Sequence, residues 1–171
     1  MGNVQRRLRL RLGMLLTLAP IIPAALVWSH LRSASRDGLR LEVSLSAREM
    51  KVIDNGDVVT TYGVAVGRPS HPTPTGEFRT GDIIWNPGWN PPPVDWARDK
   101  EPQAPGSPTN PMQAVKIYFE APYYFIHGTN DPGSIGEAAS HGCIRMTPED
   151  ATALAHRIES AGGGVPLLIK D

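Results

Sequence analysis

Ile126-His127-Gly128-Thr129-Asn130, followed twelve residues beyond Gly128 by Ser140-His141-Gly142-Cys143-Ile144-Arg145-Met146, is the stretch on which the reading of this chain turns. It gathers two histidines, two glycines, an arginine and the sole cysteine of 171 residues. A free thiol with a pKa of about 8.5 is only a few per cent thiolate at neutral pH, so a working cysteine nucleophile needs a positioned imidazole. His141 lies two residues from Cys143 and, on a strand, would share its face. His127 reaches the thiol only if the intervening loop folds back, which Asp131-Pro132-Gly133 favours. Spacing alone leaves both histidines open as the base. Gly142, directly before the thiol, permits a tight turn and leaves room for a substrate carbonyl beside main-chain N–H groups, as an oxyanion hole requires. Arg145 carries the planar fork that binds a carboxylate through two hydrogen bonds; the alternative is an ion pair with a surface acid.

Working outward, residues 114–119 and 123–126 are rich in β-branched and aromatic side chains and read as two buried strands, the second running straight into His127. A loop over residues 128–136 follows. Thr147-Pro148-Glu149-Asp150 supplies an N-cap, a proline at the first helical position and acids in the first turn. The helix it starts has Ala151, Leu154, Ala155 and Ile158 on its core face and ends at Gly162-Gly163-Gly164. His156, on that helix, reads as structural or exposed, and residues 166–170 read as a last strand. At the other end Leu39, Leu41, Val43 and Leu45 alternate with polar residues, the pattern of a half-buried strand. Met50, Val52 and Ile53 then lead into the hairpin turn Asn55-Gly56, with residues 58–67 as the return strand.

Two segments resist regular structure. Residues 69–74 form a proline-stiffened turn in which His71 reads as a solvated bystander, with a short strand over 75–80. Residues 84–112 hold eight of the 17 prolines and three of the four tryptophans, Trp85, Trp89 and Trp96, which excludes a helix or a central strand. That segment is either the wall of a binding cleft or a surface loop pinned by its tryptophans.

Four arginines, Arg6, Arg7, Arg9 and Arg11, cluster in the first eleven residues, well ahead of the first acid, Asp37, and the remaining 13 basic residues face 17 acids. No basic stripe for nucleic acid exists. After the arginines, residues 12–28 are free of charge, so residues 1–36 read as an export signal or membrane anchor and residues 37–171 as one domain. Pro20 and Pro23 interrupt the apolar run, and Ser33-Ala34-Ser35 lies well past it for a cleavage site, which favours an uncleaved anchor. A lone cysteine in an exported chain excludes an internal disulfide. A near-neutral domain of this size is expected to be a monomer.

The two quoted runs closely resemble the signature of the L,D-transpeptidase catalytic domain of the YkuD type. The resemblance extends to Thr73-Pro74-Thr75-Gly76-Glu77-Phe78, to the prolines after Asn90 and to the opening hairpin. It implies a mainly β fold, sandwich- or barrel-like, with one or two short helices, and a site in the bacterial envelope or periplasm. It implies Cys143 as nucleophile and His127 as base, the Gly128 carbonyl orienting that base. Ser140, His141 and Gly142 would belong to the oxyanion and substrate-binding turn, with Arg145 at a position filled by Asn or Arg. The substrates implied are peptidoglycan stem peptides, attacked at the L-centre of the third, diamino-acid residue with loss of D-Ala; the acceptor is a second stem or an envelope-protein lysine. No cofactor is implied. Water as acceptor would give an L,D-carboxypeptidase. Outside this class stand a zinc protein built on His127, His141 and Cys143, and a non-catalytic wall-binding protein.

Overall fold

The computed structural model describes residues 38–171; the segment read as signal or anchor lies outside the described residues. Within them the chain is mainly β with one α-helix and two short 3-10 turns. Strand β1 (Arg40–Ser44) buries Leu41 and Val43 and leaves its polar residues at the surface, as the alternation required. Strands β2 (Glu49–Asp54) and β3 (Asp57–Gly63) form the expected hairpin, with Asn55 and Gly56 at φ 51° and 91° closing a two-residue turn.

The return strand is shorter than the sequence led us to expect. It stops at Gly63, and the chain passes through buried Val64 and Ala65 into a separate short strand, β4 (Val66–Gly67). Backbone pairing with the cysteine-bearing half of the chain accounts for this departure. Ala65 and Arg145 each donate an N–H to the other's carbonyl at 2.9 Å, and β4 runs parallel to β9 (Ala138–Ser140).

A five-stranded sheet has the order β3, β2, β1, then β11 (Pro166–Lys170) and β5 (Gly76–Arg79). Pro166 opens β11, a place where its missing N–H is tolerated. The second sheet has the order β10 (Ile144–Met146), β8 (Tyr124–Gly128), β7 (Gln113–Glu120) and β6 (Ile83–Trp85). Helix α1 (Pro148–Ser160) packs on β7 and β8. Thr147 Oγ1 caps it by accepting from the Asp150 N–H at 3.1 Å, and the Gly163 N–H closes it on the Ile158 carbonyl at 2.9 Å. Its buried residues are Ala151, Leu154, Ala155 and Ile158, and they share one apolar core with both large sheets. His156 stands exposed on its outer face.

The proline-rich segment holds only β6 and a 3-10 turn, Asp95–Ala97. Trp85 falls on β6 and donates from its indole to Glu159 at 2.9 Å, away from the rest of the segment. What fixes the remainder is Asn110, fully buried. Its side chain donates to the carbonyls of Pro87 (2.8 Å) and Ala104 (3.1 Å) and accepts from the Met112 N–H (2.8 Å). Leaving those buried groups unpaired costs about 1–3 kcal/mol. Asn110→Ala should therefore lower the urea midpoint of unfolding by an equivalent amount, whereas a change confined to experimental error would show that the segment is held elsewhere.

Candidate active site

Strand alternation decides which side chains reach the site. Ile126 on β8 lies opposite Ile144 on β10 and Ile117 on β7, and all three are fully buried in the core. The next row of the sheet, Arg145, His127 and Lys116, therefore points to the opposite face. So does the row one residue before, where Tyr118 pairs with Phe125 and Cys143 immediately precedes β10. Parallel strands lie about 4.8 Å apart and same-face residues about 6.6 Å along each, so Cys143 and His127 are diagonal neighbours with Cα atoms roughly 8 Å apart. Thiol and imidazole share that face, while the hydrogen bond of the Sγ runs to the Tyr123 carbonyl. They line one cavity of about 780 Å³, together with His141 and Arg145, and Trp89, Trp96 and Met112 of the proline-rich segment form another part of its wall. The cleft-wall expectation is met by Trp89 and Trp96 and not by Trp85.

His127 is buried, and its Nδ1 lies 2.9 Å from the Gly128 carbonyl. A carbonyl only accepts, so Nδ1 carries the proton and Nε2 is the basic nitrogen. Gly128 is required for this geometry: a Cβ there would meet the Gln113 carbonyl oxygen at 2.4 Å. Burial pushes the His127 pKa down to about 4, against the raising effect of the Gly128 hydrogen bond, and Arg145 and Lys116 push it further down. Burial pushes the Cys143 thiol up to about 11, against the lowering effects of a backbone hydrogen bond and the same two cations. Its Sγ donates to the Tyr123 carbonyl at 3.6 Å. At neutral pH the pair is thus thiol and neutral imidazole.

The turn before the thiol is held from below. Buried Ser140 accepts from the Gly142 N–H at 3.0 Å and donates to the Cys143 carbonyl, so its hydroxyl is engaged by the turn. Gly142 has φ 108°, and a Cβ would strike the Tyr124 ring at 2.7 Å, so no other residue fits. His141 is half-buried and stacked on Trp96, with ring centroids 3.8 Å apart and planes 17° apart. Its Nε2 accepts from the Arg68 guanidinium. Burial first, then the charges of Arg68, His71, Arg145 and Lys100, push its pKa down to about 4. Arg145 is half-buried in the cavity with no ion-pair partner among the described residues.

Sequence reasoning missed Arg68 and Lys116. Arg68 bridges two imidazoles, donating also to His71 Nδ1 at 3.3 Å, and His71 meets the His141 ring edge-on at 5.0 Å. His71 does not line the cavity, but it is half-buried and not fully solvated, because the β4–β9 pairing folds the 68–73 turn against the cysteine turn, with the Arg68 N–H on the Ser140 carbonyl at 3.1 Å. Nothing in the local sequence signals that pairing. Lys116 was legible: a lone lysine between Val115 and Ile117 in an apolar strand marks a wet face. No group of three or more His, Cys, Asp or Glu side chains able to hold a metal occurs among the described residues, so the zinc alternative lacks a donor set there.

The chain is similar to known proteins in sequence and in fold. The profile of the YkuD family, the L,D-transpeptidase catalytic domain, matches residues 39–166. YkuD of Bacillus licheniformis is 36% identical over 116 residues, covering 68% of this chain and 58% of that protein. YqjB of Bacillus subtilis is 34% identical over 134 residues, covering 75% of this chain and 69% of that protein. The chain thus spans under two thirds of the length of the licheniformis relative. The catalytic domain of the E. faecium L,D-transpeptidase has the same fold, with a TM-score of 0.59 at 21% identity, covering 78% of this chain and 98% of that domain.

Two outcomes follow from the neutral pair. Alkylation of Cys143 by iodoacetamide should titrate with a midpoint near pH 11. Its pH 7 rate should be roughly a hundredfold below that of an unperturbed thiol; a midpoint below 7 would instead reveal a preformed thiolate–imidazolium pair. His127 is also uncharged when folded but takes up a proton below its ordinary pKa of 6.5 when unfolded, so stability present above pH 6.5 is lost as pH falls towards 4. His127→Gln should therefore shrink the drop in urea midpoint between pH 7.5 and 4.5, and an unchanged drop would assign the acid sensitivity to other groups.

Proposed function

The chain belongs to the YkuD family of L,D-transpeptidase catalytic domains, and from that membership we propose that it remodels peptidoglycan by cysteine acyl transfer, with Cys143 as nucleophile and His127 as base. The observation that carries the assignment is the placing of Cys143 and His127 as diagonal neighbours on the cavity face, with His127 Nδ1 tied to the Gly128 carbonyl. His141 fits the base less well, because the Arg68 guanidinium occupies its Nε2 lone pair.

In this mechanism His127 Nε2 takes the thiol proton as Sγ attacks the carbonyl at the L-centre of the third residue of a tetrapeptide stem. The Gly142 N–H is engaged by Ser140, so the developing oxyanion falls to the Cys143 N–H. Collapse breaks the peptide bond, the His127 proton passes to the departing D-Ala amine, and a thioester remains. An amine of a second stem, or of an envelope-protein lysine, then attacks the thioester with His127 again as base, and the thiol is restored. Arg145 holds a donor carboxylate, and Trp89 and Trp96 form the wall that packs the peptide. The work is extracytoplasmic, with residues 1–36 as signal or anchor.

Intact-mass spectrometry with a tetrapeptide stem should show an acyl adduct on the wild-type protein and none on Cys143→Ala, and a cross-linked dimer once a second stem is added. D-Ala release with only a trimmed stem would make the protein a carboxypeptidase. His127→Ala should reduce adduct formation at least a hundredfold, the usual scale of general-base loss; adduct formation at the wild-type rate would remove His127 from the mechanism.

A further inference from the structure

Lys116 has no part in the reaction as derived, yet its setting is that of a ligand-binding group. It lies directly beside His127 in the sheet, between fully buried Val115 and Ile117, and is itself half-buried in the cavity wall. Its ammonium sits over the rings of Tyr118 (4.7 Å) and Phe125 (5.1 Å). Such cation–π contacts hold the charge in place without neutralising it. No carboxylate lies within ion-pair distance of it among the described residues.

On the other side of His127, Arg145 is in the same condition. Asp131 attracts it without reaching ion-pair distance, and the cavity's acids Asp99 and Glu101 are exposed. Two strand spacings separate their backbone positions, so their Cα atoms flank that of the base roughly 10 Å apart. Partly buried like charges without counter-ions oppose folding unless a ligand brings the anions. Peptide length and chemistry fit that span: in a stem attacked at its third residue, the terminal carboxylate is one residue beyond the reacting carbonyl, and a diamino-acid side chain extends several bonds from the same centre.

We propose that Lys116 is a specificity-determining residue that binds a second donor carboxylate, carried on the side chain of the diamino acid under attack, while Arg145 takes the terminal one. The assignment rests on the transpeptidase reading for its substrate class. It makes the cavity selective for donors whose side-chain carboxylate is free over donors in which it is an amide or is missing.

The test is binding of two tetrapeptide stems, identical except that the side-chain carboxylate is free in one and amidated in the other, to the protein carrying Cys143→Ala, by calorimetry. Loss of one charge-assisted contact corresponds to about ten- to a hundredfold in Kd, and amidation should weaken binding by that factor. Adding Lys116→Met, which keeps the aliphatic stem over the two rings, should abolish the difference by weakening only the free acid; Lys116→Arg should restore most of it. Equal binding of both peptides, equal weakening of both by Lys116→Met, or binding of neither overturns the assignment. D-Ala release by the wild-type protein is followed separately. Stems that bind with the expected discrimination and are never turned over would count against the transpeptidase reading and leave Lys116 as an anion site.

Discussion

The site exists because β8 and β10 pair in parallel in one register, Ile126 opposite Ile144 and His127 opposite Arg145. The register is enforced by burial. Each of Ile117, Ile126 and Ile144 gains about 1.5–3 kcal/mol by leaving water, and a slip of one residue would turn all three into the cavity. The same slip would drive Lys116, Arg145 and His127 into a core of aliphatic side chains, at a far greater penalty for the two cations. The apolar face of the sheet thus positions the reactive one, and α1 closes over that apolar face.

The electrostatics of the pair follow from the same arrangement. Desolvation acts in opposite directions on the two groups, pulling His127 down and pushing Cys143 up, and both shifts favour the uncharged forms. Lys116 and Arg145 lower both values, yet the burial effect leads in each case. In the mechanism we propose, this neutral pair reacts only when a carbonyl is placed against sulfur, beside donors that meet the developing charge. The close approaches at Gly128 and Gly142 are the backbone side of that placement, since each admits no Cβ.

Much of the fold was legible before the structure. The β1 alternation, the Asn55-Gly56 turn, the capped helix and its four core residues all express local rules whose signals lie within a few residues of where they act. The strand entering His127 was legible for the same reason, although β8 runs on through Gly128. The hairpin's return strand was read too long because its alternation gives no warning that Ala65 pairs with Arg145, eighty residues away. The contacts of His71 were hidden on the same account: flanking prolines describe its backbone, and only the β4–β9 contact brings it to Arg68 and His141.

The sequence by itself determined the reactive residue types, their strand and turn contexts and the family signature, because a lone cysteine after a glycine and a histidine at a strand end are local chemical facts. Tertiary structure decided which imidazole keeps a basic nitrogen free, which tryptophans face the cavity, and that Arg68 is held against His141. Those outcomes depend on register between strands distant in sequence and on desolvation, and neither is a property of any single segment of the chain.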